Sequence, residues 1–247
     1  MSPGVLITGA SGGIGKVLCR RFLENGYHVV ATSQSADDLD TSGLTFIPAD
    51  LELMTRDEAV LGSFKKDVLT AMGNRPVLAL INNAAVQILG STENLTCDNL
   101  LESFRVNTLA PFALIKAFLE NLEKAKGSVV NVGSVHASAT KPEFTAYATS
   151  KSALHGLTRA LAVDLGGRIR VNTIAPAATR TPMLMAGFDG REKAFEELEK
   201  FHPIKRIAEP EEVGDLAVFL CSDKAQFITG ATFVLDGGIL SRLHDPV

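Results

Sequence analysis

The sequence predicts an α/β fold: a doubly wound parallel sheet of seven strands with helices on both faces, in a single domain. Three observations carry that expectation. Short apolar runs alternate with longer segments of helical periodicity from one end of the chain to the other. Several of the short runs are apolar at nearly every position, as a strand must be when helices cover both of its faces. A glycine-rich turn also falls between the first run and the first helical segment, where open parallel sheets bind ligands.

The strand candidates are residues 5–8, 29–32, 44–47, 77–81, 128–132, 169–174 and 232–235. The first helix is expected over 13–25, where Ile14, Val17, Leu18 and Phe22 recur at helical spacing and Gly26 supplies a left-handed stop. Further helical patterns cover 107–118, 146–165, 191–200 and 210–220. Because crossovers between parallel strands are right-handed, this alternation winds into one open sheet. Residues 181–203 break the rhythm: Pro182 opens the segment, and Met183, Leu184, Met185 and Phe188 precede a charged helix. The segment reads either as a lid over a site or as a surface helix pair packed on the body. No repeat, low-complexity tract or linker divides the chain, so residues 1–247 are expected to form one domain.

A chain of 247 residues, 46% apolar, can bury one full core. Its formal charge of -4, with Lys and Arg dispersed, offers no basic footprint for a phosphate backbone, so nucleic acid is not expected as a partner. Cys19, Cys97 and Cys221 are far apart, odd in number and set among apolar neighbours; they fit reduced core thiols in a reducing compartment better than a disulfide frame. His28, His136, His155, His202 and His244 never fall at ligand spacing, and no metal site is expected. Residues 1–4 lead straight into an apolar run, leaving no room for an export signal, and no apolar stretch approaches the ~20 residues that span a bilayer. The expectation is a cytoplasmic protein with no membrane contact.

The glycine-rich turn contributes Gly9, Ser11, Gly12, Gly13, Ile14 and Gly15. Glycines there permit a tight turn and bring the backbone close to a pyrophosphate, whose charge the free N–H groups of a helix N-terminus attract. The same sheet edge collects polar groups at later strand ends: Asp50 after the third, Asn82 and Asn83 after the fourth, Ser134 after the fifth.

Tyr147 and Lys151 stand one helical turn apart, within reach of each other. A free tyrosine titrates near ~10, and an adjacent ammonium favours its phenolate, which makes Tyr147 a candidate general acid or base. Such a pair alone is equally an amphipathic surface feature. Ser134, at a strand end thirteen residues earlier, changes the balance, because its hydroxyl could hydrogen-bond a reacting oxygen. Pro111 has no N–H and leaves the carbonyl of Asn107 without its helical donor, a kink that suits a water relay; alternatively it is an ordinary first-turn proline.

In this order these residues resemble the short-chain dehydrogenases/reductases over essentially the whole chain: Thr8-Gly9-x-x-x-Gly13-Ile14-Gly15, Asp50-Leu51, Asn82-Asn83-Ala84-Ala85, Asn107, Ser134, Tyr147-x-x-x-Lys151, Asn172-x-x-x-Pro176 and Thr181. The resemblance implies a Rossmann fold and hydride transfer between a nicotinamide cofactor and a carbonyl or secondary alcohol. It implies that Tyr147 exchanges the proton, Ser134 orients the substrate oxygen, Lys151 binds ribose hydroxyls and Asn107 supports a relay water. Adenine contact falls on Asp50 and Leu51, the cofactor-cradling turn on Asn82, Asn83, Ala84 and Ala85, and carboxamide contact on Pro176, Thr179 and Thr181. A homo-oligomer is implied too, a dimer or tetramer paired through the helices bearing Asn107 and Tyr147 and through residues 210–220 and 232–235.

Two positions depart from the family pattern: Ala85 and Ala177 replace glycines, which is tolerable at negative φ and strained at positive φ. The strand-two position that carries an acid in NAD users is Ser33, followed by Gln34, and Gly12 stands where NADP users often carry a base. Loss of the acid tilts the reading to NADP(H), with NAD(H) the alternative should Asp37 or Asp38 reach back. Substrate-lining candidates are Val86, Gln87, Ile88, His136, Ser138, Phe144, Leu184, Met185 and Phe188, and His136 is either a partner for a substrate polar group or a packed histidine. Relatives act on 3-oxoacyl thioesters, sugars and sterols, and the lid does not choose among them. Two other readings stand beside the oxidoreductase: a dinucleotide sensor or scaffold, which has no need of the catalytic set, and a nucleotide-sugar epimerase or dehydratase, against which length and loop spacing argue. Residues 240–247 have no assigned purpose.

Overall fold

The computed structural model describes residues 1–243; His244 and the end of the 240–247 extension lie outside them. Seven parallel strands, β1 (Gly4–Thr8), β2 (His28–Ser33), β3 (Leu44–Pro48), β4 (Val77–Asn82), β5 (Ser128–Val132), β6 (Arg170–Pro176) and β7 (Thr232–Leu235), lie in the order β3-β2-β1-β4-β5-β6-β7 among the described residues. The chain starts at the centre, winds out through β2 to β3, then returns to β4 and winds the other way. The direction therefore reverses between β1 and β4, which leaves a crevice beyond their C-terminal ends. This is the doubly wound Rossmann arrangement that the alternation predicts.

Side chains of β1 alternate between two cores. Val5 and Ile7 pack with Leu18 and Phe22 of α1 (Gly13–Glu24) and with Val213, Ala217 and Leu220 of α9 (Pro210–Cys221). Leu6 faces the opposite core with Phe64 and Val68 of α3 (Glu58–Met72), Leu114 and Phe118 of α5 (Ala110–Lys124), and Leu161 of α6 (Thr145–Asp164). Two apolar surfaces on one strand account for its unbroken hydrophobic run.

The remaining helices are α2 (Leu51–Met54), α4 (Cys97–Phe104), α7 (Pro182–Ala186) and α8 (Glu192–Phe201). Gly26, at φ 79°, follows α1 as the left-handed residue expected there. Pro111 lies in the first turn of α5, directly after a π-helical turn over Arg105–Leu109 that carries Asn107. Helical backbone angles run without a break from α4 through this widened turn into α5, so the proline sits within one continuous helix just after a π-helical turn and not at a free helix start. Of the cysteines, Cys19 and Cys221 are buried, and burial pushes both thiols up to about 12. Cys97 departs from the expectation of a core thiol: it opens α4 and is exposed. No helix among the described residues is long and apolar enough to cross a membrane.

Candidate active site

A cleft of about 1220 Å³ opens at the switch point. At one end the turn after β1 bends back on itself: Gly9 has φ +66°, and a Cβ on Gly15 would lie 2.0 Å from the Gly9 carbonyl oxygen. The turn is tied to the end of β4. Thr8 Oγ1 accepts from the N–H groups of Asn83 and Ala84, each at 3.1 Å, and Asn83 Nδ2 donates to the carbonyls of Thr8 and Gly9, each at 3.0 Å. No side chain caps α1, so its first turn presents backbone N–H groups along the cleft. A close-approach glycine turn, an uncapped helix N-terminus and a long open cleft fit a dinucleotide. Ala85 and Ala177 are absent from the positive-φ residues, so neither methyl strains the backbone.

Ser33 and Gln34 line the cleft together with Asp50 and Leu51, which follow the neighbouring strand β3. The Ser33 hydroxyl is engaged, accepting from the Ser11 N–H at 3.0 Å. Asp50 caps α2 by accepting from the Leu53 N–H at 3.0 Å. Asp37 accepts from the Ser35 hydroxyl at 2.7 Å, and among the described residues neither it nor Asp38 lines the cleft. The Lys and Arg side chains that do line it are Lys141, Lys151 and Arg191. None of them belongs to the segments around Ser33.

Ser134, 5% exposed, follows β5 in extended conformation, and Tyr147 from α6 lines the cleft beside it. Lys151, one turn on, is 2% exposed; its Nζ donates to the Val132 carbonyl at 2.7 Å and lies 5.7 Å from the centre of the Tyr147 ring. Burial lowers the ammonium to about 8. Burial also raises the Tyr147 phenol above its ordinary value, the Ser134 hydrogen bond offsetting part of the rise. The expected acidic phenol is therefore not what this arrangement produces: desolvation outweighs the neighbouring ammonium, which is itself pushed toward neutrality.

Asn107 is fully buried and does not line the cleft. Its side chain accepts from the Val86 N–H at 2.8 Å and donates to the Val86 carbonyl and to Ser150 Oγ, each at 2.9 Å. Ser150 Oγ in turn donates to the Tyr147 carbonyl at 2.8 Å. The side chain therefore braces the helix that carries Tyr147, and any relay must use its backbone carbonyl.

The other expected cofactor residues, Gly12, Gly13, Ile14, Pro176, Thr179 and Thr181, all line the cleft. Of the substrate candidates, Val86, Gln87, His136, Phe144, Leu184 and Phe188 line it, whereas Ile88, Ser138 and Met185 do not. The His136 ring stacks on Phe144 at 4.3 Å and meets Tyr147 edge-on at 5.9 Å, with Lys141 Nζ 4.6 Å from the centre of the Phe144 ring. Its Nδ1 pairs with Thr140 Oγ1 at 3.0 Å, and burial, then Lys141, lowers its pKa. Sequence reasoning missed Leu89, Thr140, Lys141, Arg191, His202, Ile239 and Leu240, which come from connecting segments with no motif to mark them.

A family model described as enoyl-(acyl carrier protein) reductase matches residues 9–240. Dehydrogenase/reductase SDR family member 4 of Homo sapiens is 34% identical over 244 residues, covering 96% of this chain and 87% of that protein. The ligand-free structure of Thermoplasma acidophilum aldohexose dehydrogenase is similar at a TM-score of 0.91 and 28% identity, covering 100% of this chain and 97% of that one. 4-Hydroxyisoleucine dehydrogenase complexed with NADH gives a TM-score of 0.86 at 29% identity, covering 98% and 100%. The chain belongs to the short-chain dehydrogenase/reductase family. It is a nicotinamide-dependent oxidoreductase acting on CH–OH and C=O groups.

Proposed function

We propose that the protein interconverts a hydroxylated carbonyl compound and its secondary alcohol, with Tyr147 as the proton-exchanging residue. The observation that carries this is the convergence at the cleft of Tyr147, the Ser134 hydroxyl that draws the phenol's pKa down, and Lys151, whose Nζ lies 5.7 Å from the centre of the Tyr147 ring. A nicotinamide held in the cleft would supply or accept the hydride at the substrate carbon. Tyr147 gives the proton to, or takes it from, the substrate oxygen, and the Ser134 hydroxyl orients that oxygen. Lys151 holds ribose hydroxyls, and the Asn107 carbonyl, which Pro111 cannot satisfy, supports the water that re-protonates the site. Gly9, Ser11, Gly12, Gly13, Ile14 and Gly15 would cradle the pyrophosphate, Asp50 and Leu51 would meet the adenine, Asn83, Ala84 and Ala85 would help cradle the cofactor, and Pro176, Thr179 and Thr181 would meet the carboxamide.

Between the two dinucleotides, the absence of an acid at Ser33 and Gln34 tilts the sequence to NADP(H). Charge tilts the other way. Among the described residues, the cations lining the cleft are Lys141, Lys151 and Arg191, none from the segments around Ser33, whose hydroxyl is already engaged; Asp50 and Glu52 line the cleft too, so a 2′-phosphate would lack a counter-charge. We favour weak discrimination with NAD(H) ahead. On the substrate side, a neutral His136 keeps Nε2 for a hydroxyl near the reacting carbon, and the Phe144 stack gives an apolar face for C–H groups. That supports a sugar-like substrate, as does the likeness to an aldohexose dehydrogenase. Residues 181–203 serve as the lid. Exposed Leu109 and Phe112 beside α4 and α5, and Phe219 and Val234 on α9 and β7, support a homo-oligomer, a tetramer or dimer, through those surfaces. The reduced cysteines support a cytoplasmic setting.

The test is a panel of aldoses, ketoses, 3-oxoacyl thioesters and unsubstituted ketones with NADH and NADPH, alongside calorimetric affinities for both cofactors. Turnover greatest on hydroxylated carbonyls, with NADH bound at least as tightly as NADPH, is the expected result. Tight cofactor binding with no turnover on any compound would favour a dinucleotide sensor instead.

A further inference from the structure

The face of α6 that carries Tyr147 and Lys151 continues one turn further to His155. These three side chains, each a helical turn from the next, grip the three residues at the end of β5. Tyr147 lies beside the Ser134 side chain, Lys151 donates to the Val132 carbonyl at 2.7 Å, and His155 Nε2 accepts from the Ser134 backbone N–H at 3.4 Å. Gly133 completes the fit between them. A Cβ there would lie 2.2 Å from His155 Nε2 and 2.7 Å from Thr173 Cγ2, so the imidazole occupies the space that glycine leaves.

The position of this contact gives it consequence. Sheet pairing reaches Gly133, whose N–H donates to the Ile174 carbonyl at 2.7 Å. The next N–H, that of Ser134, has left the ladder, and Ser134 is buried; deprived of His155, it would be a buried donor without an acceptor. We propose that His155 is a positioning residue: it accepts the Ser134 N–H, packs against Gly133, and so fixes where the Ser134 hydroxyl stands toward Tyr147 and substrate. It is 6% exposed and does not line the cleft, so it acts through Ser134 alone. An accepting Nε2 bears no proton, which requires a neutral ring protonated at Nδ1. Burial, reinforced by the charges of Lys151 and Arg159, holds the imidazole down to about 4, so the acceptor persists at neutral pH.

The inference rests on the role given to Ser134 above, and two readouts keep the two apart. His155→Leu keeps bulk and removes the acceptor; His155→Gln keeps an acceptor. Expected are a kcat about tenfold lower for His155→Leu, unchanged cofactor affinity, and recovery to within about threefold in His155→Gln. Hydrogen exchange at the Ser134 amide, read by NMR, accelerates in the Leu variant and stays slow in the Gln variant. Gly133→Ala lowers kcat in the wild type and less in a His155→Ala background, where the ring is gone and only Thr173 Cγ2 still crowds the added methyl. Equal losses in the Leu and Gln variants, or an exchange rate at Ser134 unchanged by His155→Leu, would overturn the inference. A wild type silent on the substrate panel, with a protected Ser134 amide that His155→Leu releases, would overturn the catalytic role of Ser134 and leave the clamp standing.

Discussion

Tyr147→Phe isolates the proton from everything else the residue does. The ring meets His136 and Phe144 edge-on at 5.9 and 6.1 Å, and phenylalanine keeps both contacts. The hydroxyl has Ser134 as its polar neighbour, a contact worth at most one hydrogen bond. Such a bond is worth about 1 kcal/mol net, and removing the hydroxyl also relieves the cost of burying it, so stability changes by no more than about 1 kcal/mol. For a chain of this size that moves Tm by about 2–4 °C. The chemical loss is of another order. Removing a positioned general acid costs about 10²–10⁴ in rate, which at 1.36 kcal/mol per decade is about 3–5 kcal/mol of transition-state stabilisation. Steady-state turnover, followed by reduced-nicotinamide absorbance on the best substrate of the panel, reads the second quantity; thermal melting and cofactor titration read the first. A variant that keeps more than about a third of wild-type kcat, or that loses cofactor affinity in step with turnover, refutes the assignment of Tyr147 as proton donor.

Lys151→Met tests the burial of the ammonium. Its folded pKa, about 8, lies below the ordinary 10.5, so the unfolded chain holds the proton more tightly; the penalty is complete below pH 8 and fades as pH rises from 8 to 10.5. Wild-type stability in urea, referred to Lys151→Met, should therefore rise by up to ~3 kcal/mol across that window, and a flat difference contradicts the shift. Asn107→Ala removes the bonds to Val86 and Ser150, and calorimetry should find roughly 2–4 kcal/mol of destabilisation together with a fall in kcat; full activity at full stability would show that the brace on α6 is dispensable. Ala85→Gly and Ala177→Gly should leave cofactor affinity within about twofold, because neither alanine occupies a left-handed conformation; a gain above about fivefold would reveal strain that the backbone angles do not show.

Motif and period made most of the sheet legible. Strands buried on both faces announce themselves by unbroken apolar runs, and Gly26 marked the end of α1 because only a left-handed residue closes that turn. β6 runs to Pro176, two residues past its expected end: a proline accepts through its carbonyl and can terminate a strand. α3 went unseen although Phe64, Val68 and Met72 recur at every fourth position and Asp57 caps it, since its lysines and central glycine dilute the pattern. In the site, residues were legible where chemistry dictates the residue type, as at Gly9, Ser134, Tyr147 and Lys151. Lys141, Arg191 and His202 were not, because fold closure brings distant loops to the cleft and no local pattern encodes that encounter. The environment of the phenol was misjudged for a related reason: spacing reveals that a cation is near, but not how dry the pair is.

That dryness bears on the direction of the chemistry. One cause, desolvation, moves Tyr147 up and Lys151 down, so both shifts favour the uncharged forms. A neutral phenol is the species that can give a proton to an oxygen gaining negative charge at its carbon's reduction. Acting as a base is harder, since the phenolate must first form against the burial penalty. The oxidised nicotinamide ring carries a positive charge that its reduced form lacks, and in oxidation that charge assists the ionisation. The two directions should then differ in pH dependence: alcohol oxidation rises as pH climbs from neutrality toward the raised pKa of the phenol, while carbonyl reduction does not share the rise. Paired kcat/KM profiles in both directions decide the matter, and an oxidation profile flat over that range would mean that Tyr147 is not the group whose ionisation limits the reaction.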